Sequence, residues 1–320
     1  MKNLIKTFCM LSAASGLIFG SCSNEEQFVN EQQQAETQVK TRTAGYEPKI
    51  TVYIEVNDIN PLNAGSYYLQ NDNKPFFDYA IIFAANIRGT GTAATDMPLL
   101  YNNENVQAIL NNHTKYIKPL QDKGIKVLYS ILGDHTGLGV ANLNDAQITA
   151  FATAVKDTLD KYNLDGVDID DEWAEYGTRG YPSANNTSYG KLIDALRAQM
   201  PNKLITVFHI GYDSFTAAQA AKLDYGWYAY FGSGSYGSKP YGSTFPNSKW
   251  SAQAINLNAY NNLTTITTKS EDSYFDGMGA IMTYDLRATD ASATLTAIAK
   301  GAYGSDKSVT HNGEFFSKDW

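Results

Sequence analysis

Short apolar runs alternate with amphipathic stretches along this chain from residue 49 onward. Apolar positions that recur every second residue indicate strands, and positions that recur every three or four residues indicate helices. The pattern predicts strands at Ile50–Val56, Tyr79–Ala84, Lys126–Ile131, Gly166–Asp170, Leu204–Ile210, Tyr225–Tyr230, Ala252–Leu257 and Met278–Tyr284. The clearest helices between them are predicted at Glu104–Lys123, Asp145–Tyr162, Tyr189–Met200 and Ala291–Tyr303.

Strands that alternate with helices form a parallel sheet with right-handed crossovers. Eight such units within about 270 residues fit a single α/β domain with a closed (β/α)8 barrel better than an open sheet. An open Rossmann sheet would carry a glycine-rich turn after its first strand, where this chain has Glu55-Val56-Asn57-Asp58. No second linker follows Pro48, so residues 48–320 are predicted to form one domain.

The first 22 residues have the pattern of a secretory signal peptide. Lys2 and Lys6 precede an apolar stretch that ends in Gly20-Ser21-Cys22. Small residues directly before a cysteine resemble a bacterial lipobox, which implies cleavage before Cys22 and attachment of lipid to it. Ordinary signal cleavage near this point is the alternative.

Residues 23–47 are polar and rich in Gln and Glu, so they are predicted to form a disordered tether. The acidic Ser23-Asn24-Glu25-Glu26 resembles an export signal of surface lipoproteins in some Gram-negative bacteria. We expect a monomer that is secreted across the inner membrane and held in the outer membrane by its N-terminal lipid, facing either the cell surface or the periplasm.

Charge and cysteine content exclude several classes of function. A net charge of −8 without a basic run argues against nucleic-acid binding, which needs clustered Lys and Arg. Cys9 and Cys22 both lie in the signal region, so the folded body is predicted to have no disulfide and no zinc site of Cys and His ligands. No cofactor is predicted.

One predicted strand is acidic where a structural strand would be apolar. Asp168, Asp170 and Glu172 are spaced by two, so an extended chain points all three side chains the same way, about 6–7 Å apart. Val167 and Ile169 then point oppositely, toward the helices. Since burying unpaired charge costs several kcal/mol, three carboxylates inside a barrel indicate chemistry.

Three interpretations of these acids are open. They form a solvated acidic loop, or a site for a hard divalent cation, or the acids of a glycoside hydrolase. The cation site lacks the usual Asp-x-Asp-x-Asp-Gly order, because Gly166 precedes the acids. Hydrolysis needs an acid that is protonated near neutral pH, and close carboxylates that titrate as one unit retain such a proton. The outermost Glu172 is then the donor, Asp170 lies below it, and Asp168 lies deepest, where it passes charge or a proton to Asp170.

The pattern Asp165-Gly-x-Asp168-x-Asp170-x-Glu172 resembles the signature of glycoside hydrolase family 18. Longer strings at 81–87, 103–107, 127–135 and 165–177 are similar to endoglycosidase H and its relatives, and the resemblance runs from Val52 to Tyr303. It implies a single-barrel endo-β-N-acetylglucosaminidase that needs no cofactor or metal. The implied partner is an N-linked glycan or glycoprotein, cut between the two core N-acetylglucosamines.

The resemblance also implies roles for particular residues. In this family the acetamide of the substrate attacks its own C1, Glu172 protonates the leaving oxygen, and Asp170 orients the acetamide. Tyr230 matches the tyrosine that hydrogen-bonds the acetamide, and Tyr284 is a second candidate. Further contacts to the glycan are expected from Trp173, which alternatively packs in the barrel wall, from Tyr228, which stands where relatives carry Asn or Gln, and from three strand-end residues, Asn86, Glu55 and His135.

Two other functions remain open from the sequence. One is a chitinase-type family 18 hydrolase that acts on a linear polymer. The other is a surface lipoprotein that binds glycans without cleaving them. All of Asp168, Asp170 and Glu172 are present, which argues against the non-catalytic binder.

Overall fold

The computed structural model describes residues 41–43, 45–70, 72–91, 95–239, 245–259 and 261–320. The predicted signal peptide at 1–22, the lipidation site Cys22 and most of the tether at 23–47 lie outside this part. Within it, no helix has the length and apolar character needed to cross a membrane.

The described end of the predicted tether packs on the folded body. Arg42 donates hydrogen bonds to the carbonyl oxygens of Gly301 and Ala302, at 2.6 and 2.9 Å. Its guanidinium also lies 4.3 Å from the centre of the Tyr274 ring. The folded part therefore begins before residue 48, the boundary that the sequence predicted.

Nine parallel strands with helices around them form a nearly closed barrel, which confirms the (β/α)8 prediction. The order around the ring is β10-β11-β1-β3-β5-β6-β7-β8-β9, while β4 pairs antiparallel with β3 and β2 pairs with β12 in a separate sheet. The strands are β1 Lys49–Glu55, β2 Tyr67–Leu69, β3 Tyr79–Arg88, β4 Leu99–Tyr101, β5 Lys126–Leu132, β6 Gly166–Asp170, β7 Leu204–His209, β8 Tyr225–Tyr228, β9 Trp250–Ser251, β10 Ala254–Asn256, β11 Ala280–Tyr284 and β12 Val309–His311.

The ninth strand arises because β10 lies within the predicted strand at 252–257, whereas β9 is a short strand just before it that the sequence did not predict. β9 pairs with β8 on one side, and β10 pairs with β11 on the other. The Met282 N–H spans the interruption between them by donating to the Ser251 hydroxyl at 2.9 Å and to the Gln253 carbonyl at 3.1 Å. The two short strands together occupy the seventh of eight positions.

The helices follow the predicted order but not every predicted boundary. They are α1 Glu104–Asn111, α2 His113–Tyr116, α3 Lys118–Asp122, α4 Asp145–Lys161, α5 Ser188–Gln199, α6 Ala217–Ala220, α7 Leu263–Phe275 and α8 Ser292–Tyr303. The prediction of one continuous helix over 104–123 is wrong, because that segment forms α1, α2 and α3. Pro119 has no N–H to donate and therefore sits in the first turn of α3, where none is needed.

Apolar residues form two cores, one on each side of the strands. The outer core, between strands and helices, includes Val167 and Ile169, which are fully buried. The inner core fills the barrel with Tyr53, Tyr79, Ile81, Leu128, Phe208, Trp227, Ala229, Ala280 and Met282. Because β6 alternates, its acidic residues take the inner side.

Candidate active site

Asp168 lies inside the barrel and is completely buried. Its Oδ2 accepts hydrogen bonds from the hydroxyls of Tyr53 and Ser130 at 2.7 and 3.1 Å. Its Oδ1 accepts from the Thr206 hydroxyl and the Trp227 indole N–H at 2.5 and 2.9 Å. These donors come from β1, β5, β7 and β8, so Asp168 joins four strands to β6.

Asp170 and Glu172 face one cavity at the C-terminal end of the barrel. Asp170 is nearly buried, whereas Glu172 is half-buried at the mouth. The cavity has a volume of about 270 Å³ and is lined mainly by apolar and aromatic groups: Tyr53, Glu55, Phe83, Leu132, Asp170, Glu172, Trp173, Phe208, Ala229, Phe231 and Tyr284. Its lining contains no Lys or Arg, so the acids have no cationic partner there.

The burial of these acids determines their electrostatics. Burial, and after it the charges of Glu172 and Asp168, raises the pKa of Asp170 well above its usual range. Burial also raises the pKa of Glu172, and that of Asp168 despite its four hydrogen bonds. The protonated forms of Asp170 and Glu172 are therefore favoured, and an acid catalyst needs such a proton to donate.

The backbone around Glu172 is fixed by the loop that follows β5. The N–H groups of Gly133, His135 and Gly137 donate to the carbonyl oxygens of residues 172, 173 and 174, at 2.9, 2.7 and 2.9 Å. On the other side, the Glu172 N–H donates to Asp170 Oδ1 at 3.2 Å. The approach is so close that a Cβ at position 133 would collide with the carbonyl oxygen of Glu172.

Three of the predicted glycan contacts line the cavity. The Tyr284 hydroxyl donates to Glu55 Oε1 at 2.8 Å. Burial and the neighbouring Glu55 raise the pKa of Tyr284, which keeps its hydroxyl protonated. Trp173 stands at the mouth, 57% exposed, with an unusual backbone φ of +63°. Its exposure excludes the alternative that it packs in the barrel wall.

Tyr230 and Tyr228 do not line this cavity, contrary to the prediction. β8 ends at residue 228, and the inward positions beyond Trp227 fall to Ala229 and Phe231. Tyr230 is 67% exposed and stacks edge-on against Tyr228, at 5.5 Å between ring centres. The two tyrosines alternate with the inward residues and therefore point the other way.

Asn86 and His135 lie near the site but do not line the cavity. The Asn86 amide donates to the Gly133 carbonyl at 3.0 Å, so it holds the loop after β5. His135 Nδ1 pairs with Glu175 at 2.9 Å, and its ring lies 5.7 Å from that of Trp173. His135 is exposed at the rim, where contact with a bound molecule requires a ligand larger than the cavity.

Asp171, which no pattern in the sequence singles out, is a buried acid on the opposite side of the chain from Asp170. It accepts hydrogen bonds from the Tyr176 hydroxyl and, at 3.1 Å, from the Tyr212 N–H. Burial raises its pKa to about 7. The sequence contains only one signal for this role, which is that Tyr176 follows Asp171 by five residues. That pattern is too common to indicate a functional site.

No group of three His, Cys, Asp or Glu side chains in the described part of the chain is arranged to hold a metal ion. The Asp168 oxygens are each occupied by two hydrogen-bond donors. The remaining acids, Asp170 and Glu172, lie in a cavity with mostly apolar walls. This arrangement suits proton transfer to a bound neutral molecule better than coordination of a hard cation.

The chain is similar to known enzymes over most of its length. Residues 42–313 match the profile of glycosyl hydrolases family 18. An endo-beta-N-acetylglucosaminidase of Flavobacterium sp. (strain SK1022) is 43% identical over 80% of this chain and 81% of its own. Endo-beta-N-acetylglucosaminidase F1 of Elizabethkingia meningoseptica is 38% identical over 85% of this chain and 82% of its own.

Solved structures give the same picture. EndoBT-3987 of Bacteroides thetaiotamicron, in complex with a Man9GlcNAc2Asn substrate, is 26% identical with a TM-score of 0.73, covering 87% of this chain and 70% of that one. In its complex with a Man5GlcNAc product the TM-score is 0.71, and this chain spans 65% of the length of that structure.

The raised pKa of Asp171 predicts a pH-dependent stability. Between pH 4 and 7 the unfolded chain ionises Asp171 while the folded chain keeps it protonated, so folding stability decreases by a few kcal/mol as pH rises and levels off above about pH 7. Asp171→Asn removes this dependence. Thermal unfolding at pH 4.5 to 8 should therefore show the melting temperature of the variant rising relative to wild type as pH increases.

Tyr176→Phe is the matched control for this experiment. It removes a hydrogen bond that favours the ionised form of Asp171, so the pKa of Asp171 should rise further and the loss of stability should continue to a higher pH than in wild type. A difference between wild type and Asp171→Asn that stays constant over this pH range would show that Asp171 titrates normally.

Proposed function

Because the chain belongs to glycosyl hydrolases family 18, we propose that it is an endo-β-N-acetylglucosaminidase that cuts between the two core N-acetylglucosamines of N-linked glycans. One observation carries the proposal: Asp170 and Glu172 share a small aromatic cavity, with Glu172 at its mouth. A single sugar ring has the size and the amphipathic surface for such a cavity. The identities of 43% and 38% to enzymes with this named activity support the choice of substrate.

The first step forms a ring within the substrate. The acetamide carbonyl oxygen of the N-acetylglucosamine in the cavity bonds to its own C1 as the bond from C1 to the leaving oxygen breaks. The Glu172 carboxyl gives its proton to that leaving oxygen. The products of this step are an oxazolinium ion, a Glu172 carboxylate and the free leaving sugar, which remains on asparagine.

Asp170 acts on the acetamide during this step. Its carboxylate accepts the acetamide N–H, which turns the carbonyl oxygen toward C1, and its negative charge stabilises the oxazolinium ion. In the second step a water molecule attacks C1, the bond from C1 to the acetamide oxygen breaks, and Glu172 takes the proton from the water. Asp168 holds β6 in place and adds negative charge below Asp170.

We assign the tyrosine that positions the acetamide to Tyr284. Its hydroxyl borders the cavity and already has the protonated form needed to donate a hydrogen bond. Tyr230, the first candidate from the sequence, is mostly exposed outside the cavity. Glu55 accepts the Tyr284 hydroxyl and keeps it oriented in the absence of substrate.

Two alternatives are less well supported. A chitinase-type hydrolase would share the catalytic acids, but the relatives of 43% and 38% identity carry the endoglycosidase name. A non-catalytic glycan binder would need no proton donor, whereas Glu172 and Asp170 here have raised pKa values and a common cavity. Comparing cleavage of chitin oligomers with cleavage of a high-mannose glycoprotein distinguishes the chitinase from the proposed endoglycosidase.

Glu172→Gln should abolish most of the activity. The amide cannot donate an acidic proton or accept one from water, so we expect turnover to fall by roughly 10²- to 10⁴-fold. Mass spectrometry of a high-mannose glycoprotein should show each glycan site trimmed to one N-acetylglucosamine by wild type, with almost no change by the variant. Equal trimming by both proteins would remove Glu172 from the mechanism.

Asp170→Asn should slow formation of the oxazoline but still allow reaction of an oxazoline that is supplied as substrate. The amide oxygen still accepts the acetamide N–H, but it carries no charge to stabilise the cation, so hydrolysis of glycoprotein should fall by about 10²-fold or more. A synthetic glycan oxazoline should still be transferred to an acceptor, because the slow step has been bypassed. Hydrolysis at the wild-type rate would contradict the acetamide role.

Tyr284→Phe and Tyr230→Phe compare the two candidate tyrosines. Loss of a hydrogen bond that strengthens in the transition state should lower kcat of Tyr284→Phe by about 10- to 10²-fold. Tyr230→Phe should change kcat by much less, because the Tyr230 hydroxyl does not border the cavity. Steady-state kinetics on one glycopeptide decides between them, and the opposite ranking would restore the sequence-based assignment.

A further inference from the structure

A second concavity adjoins the catalytic cavity at the loop that follows β6. We call it the outer groove, and it is lined by Asp171, Glu172, Trp173, Ala174, Glu175, Tyr176, Ile210, Gly211 and Tyr212. Glu172 and Trp173 border both concavities. A molecule that fills the cavity and extends past Glu172 can therefore continue into the outer groove.

The outer groove has an exposed aromatic wall. Tyr212 is 57% exposed, and its ring meets Tyr176 edge-on at 5.2 Å between ring centres. The Tyr212 ring thus has a fixed neighbour while much of the side chain remains open to solvent. Aromatic side chains with free faces are suited to packing against the apolar face of a sugar ring.

The wall is held by a buried acid. Asp171 is only 5% exposed and accepts the Tyr212 N–H and the Tyr176 hydroxyl, which in turn accepts the Ala141 N–H at 2.9 Å. Gly211 is essential to this contact, because a Cβ there would lie 2.5 Å from the Asp171 carbonyl oxygen. The position of Tyr212 relative to Glu172 is therefore set before any ligand binds.

We propose that the outer groove binds the leaving group, an N-acetylglucosamine attached to asparagine, and that Tyr212 is the residue that packs against its ring. The inference rests on the proposed function, because it follows from which bond Glu172 protonates. Asp170 lies only in the cavity, so the sugar whose acetamide reacts is there, and the sugar across the broken bond lies beyond Glu172. The open groove leaves room for the attached polypeptide.

The test compares two leaving groups on one glycan. The first substrate carries N-acetylglucosamine linked to the asparagine of a peptide, and the second is the glycosyl fluoride of the same glycan, whose leaving group has no ring. Tyr212→Ala should lower kcat/KM about tenfold on the glycopeptide and less than twofold on the fluoride. Tyr212→Phe, which keeps the ring, should restore the glycopeptide rate.

Phe315→Ala is the matched control, since Phe315 is also an exposed aromatic residue, 48% exposed, with one stacked neighbour in His311. It should change neither rate. Equal losses on both substrates by Tyr212→Ala, or no loss on either, would overturn the assignment of the groove. If wild type cleaves neither substrate, the proposed function fails instead. Thermal unfolding of each variant identifies any that do not fold.

Discussion

The hydrogen bonds that four strands donate to one buried carboxylate hold this site together. The two carboxylate oxygens of Asp168 accept hydrogen bonds from residues of β1, β5, β7 and β8. These bonds connect β6 to its neighbours on both sides and to strands across the barrel. An unpaired charge at this depth would cost several kcal/mol, and the four donors offset that cost. The direction of the next two acids along the strand follows from this anchor.

The three acids differ in burial, and the difference separates their roles. Asp168 is completely enclosed, Asp170 is nearly so, and Glu172 is reached from the mouth. Glu172 can therefore give a proton to a bound molecule. A negative charge on Asp170 interacts with the same molecule while Asp170 itself is shielded from solvent. The alternation of a single strand thus provides a donor, a stabilising charge and an anchor.

Much of the barrel could be predicted from the sequence because it depends on local alternation. Val167 and Ile169 fixed the face of the acids, and eight strand–helix units fixed the closed ring. The exposed position of Tyr230 outside the cavity could not be predicted, because the strand period is two. A shift of one position reverses the side chain, and the sequence does not show where β8 ends. Asp171 was missed because one of its two partners, the Tyr212 N–H, comes from the loop after β7, a proximity that no local pattern encodes.

The active site also requires a residue without a side chain at position 133. The loop after β5 lies directly against the carbonyl oxygen of Glu172, in space that any larger residue would occupy. In a survey of tolerated substitutions this position would rank with the catalytic acids, although none of its atoms takes part in bond making. Engineers who vary the loop after β5 therefore have no freedom at Gly133.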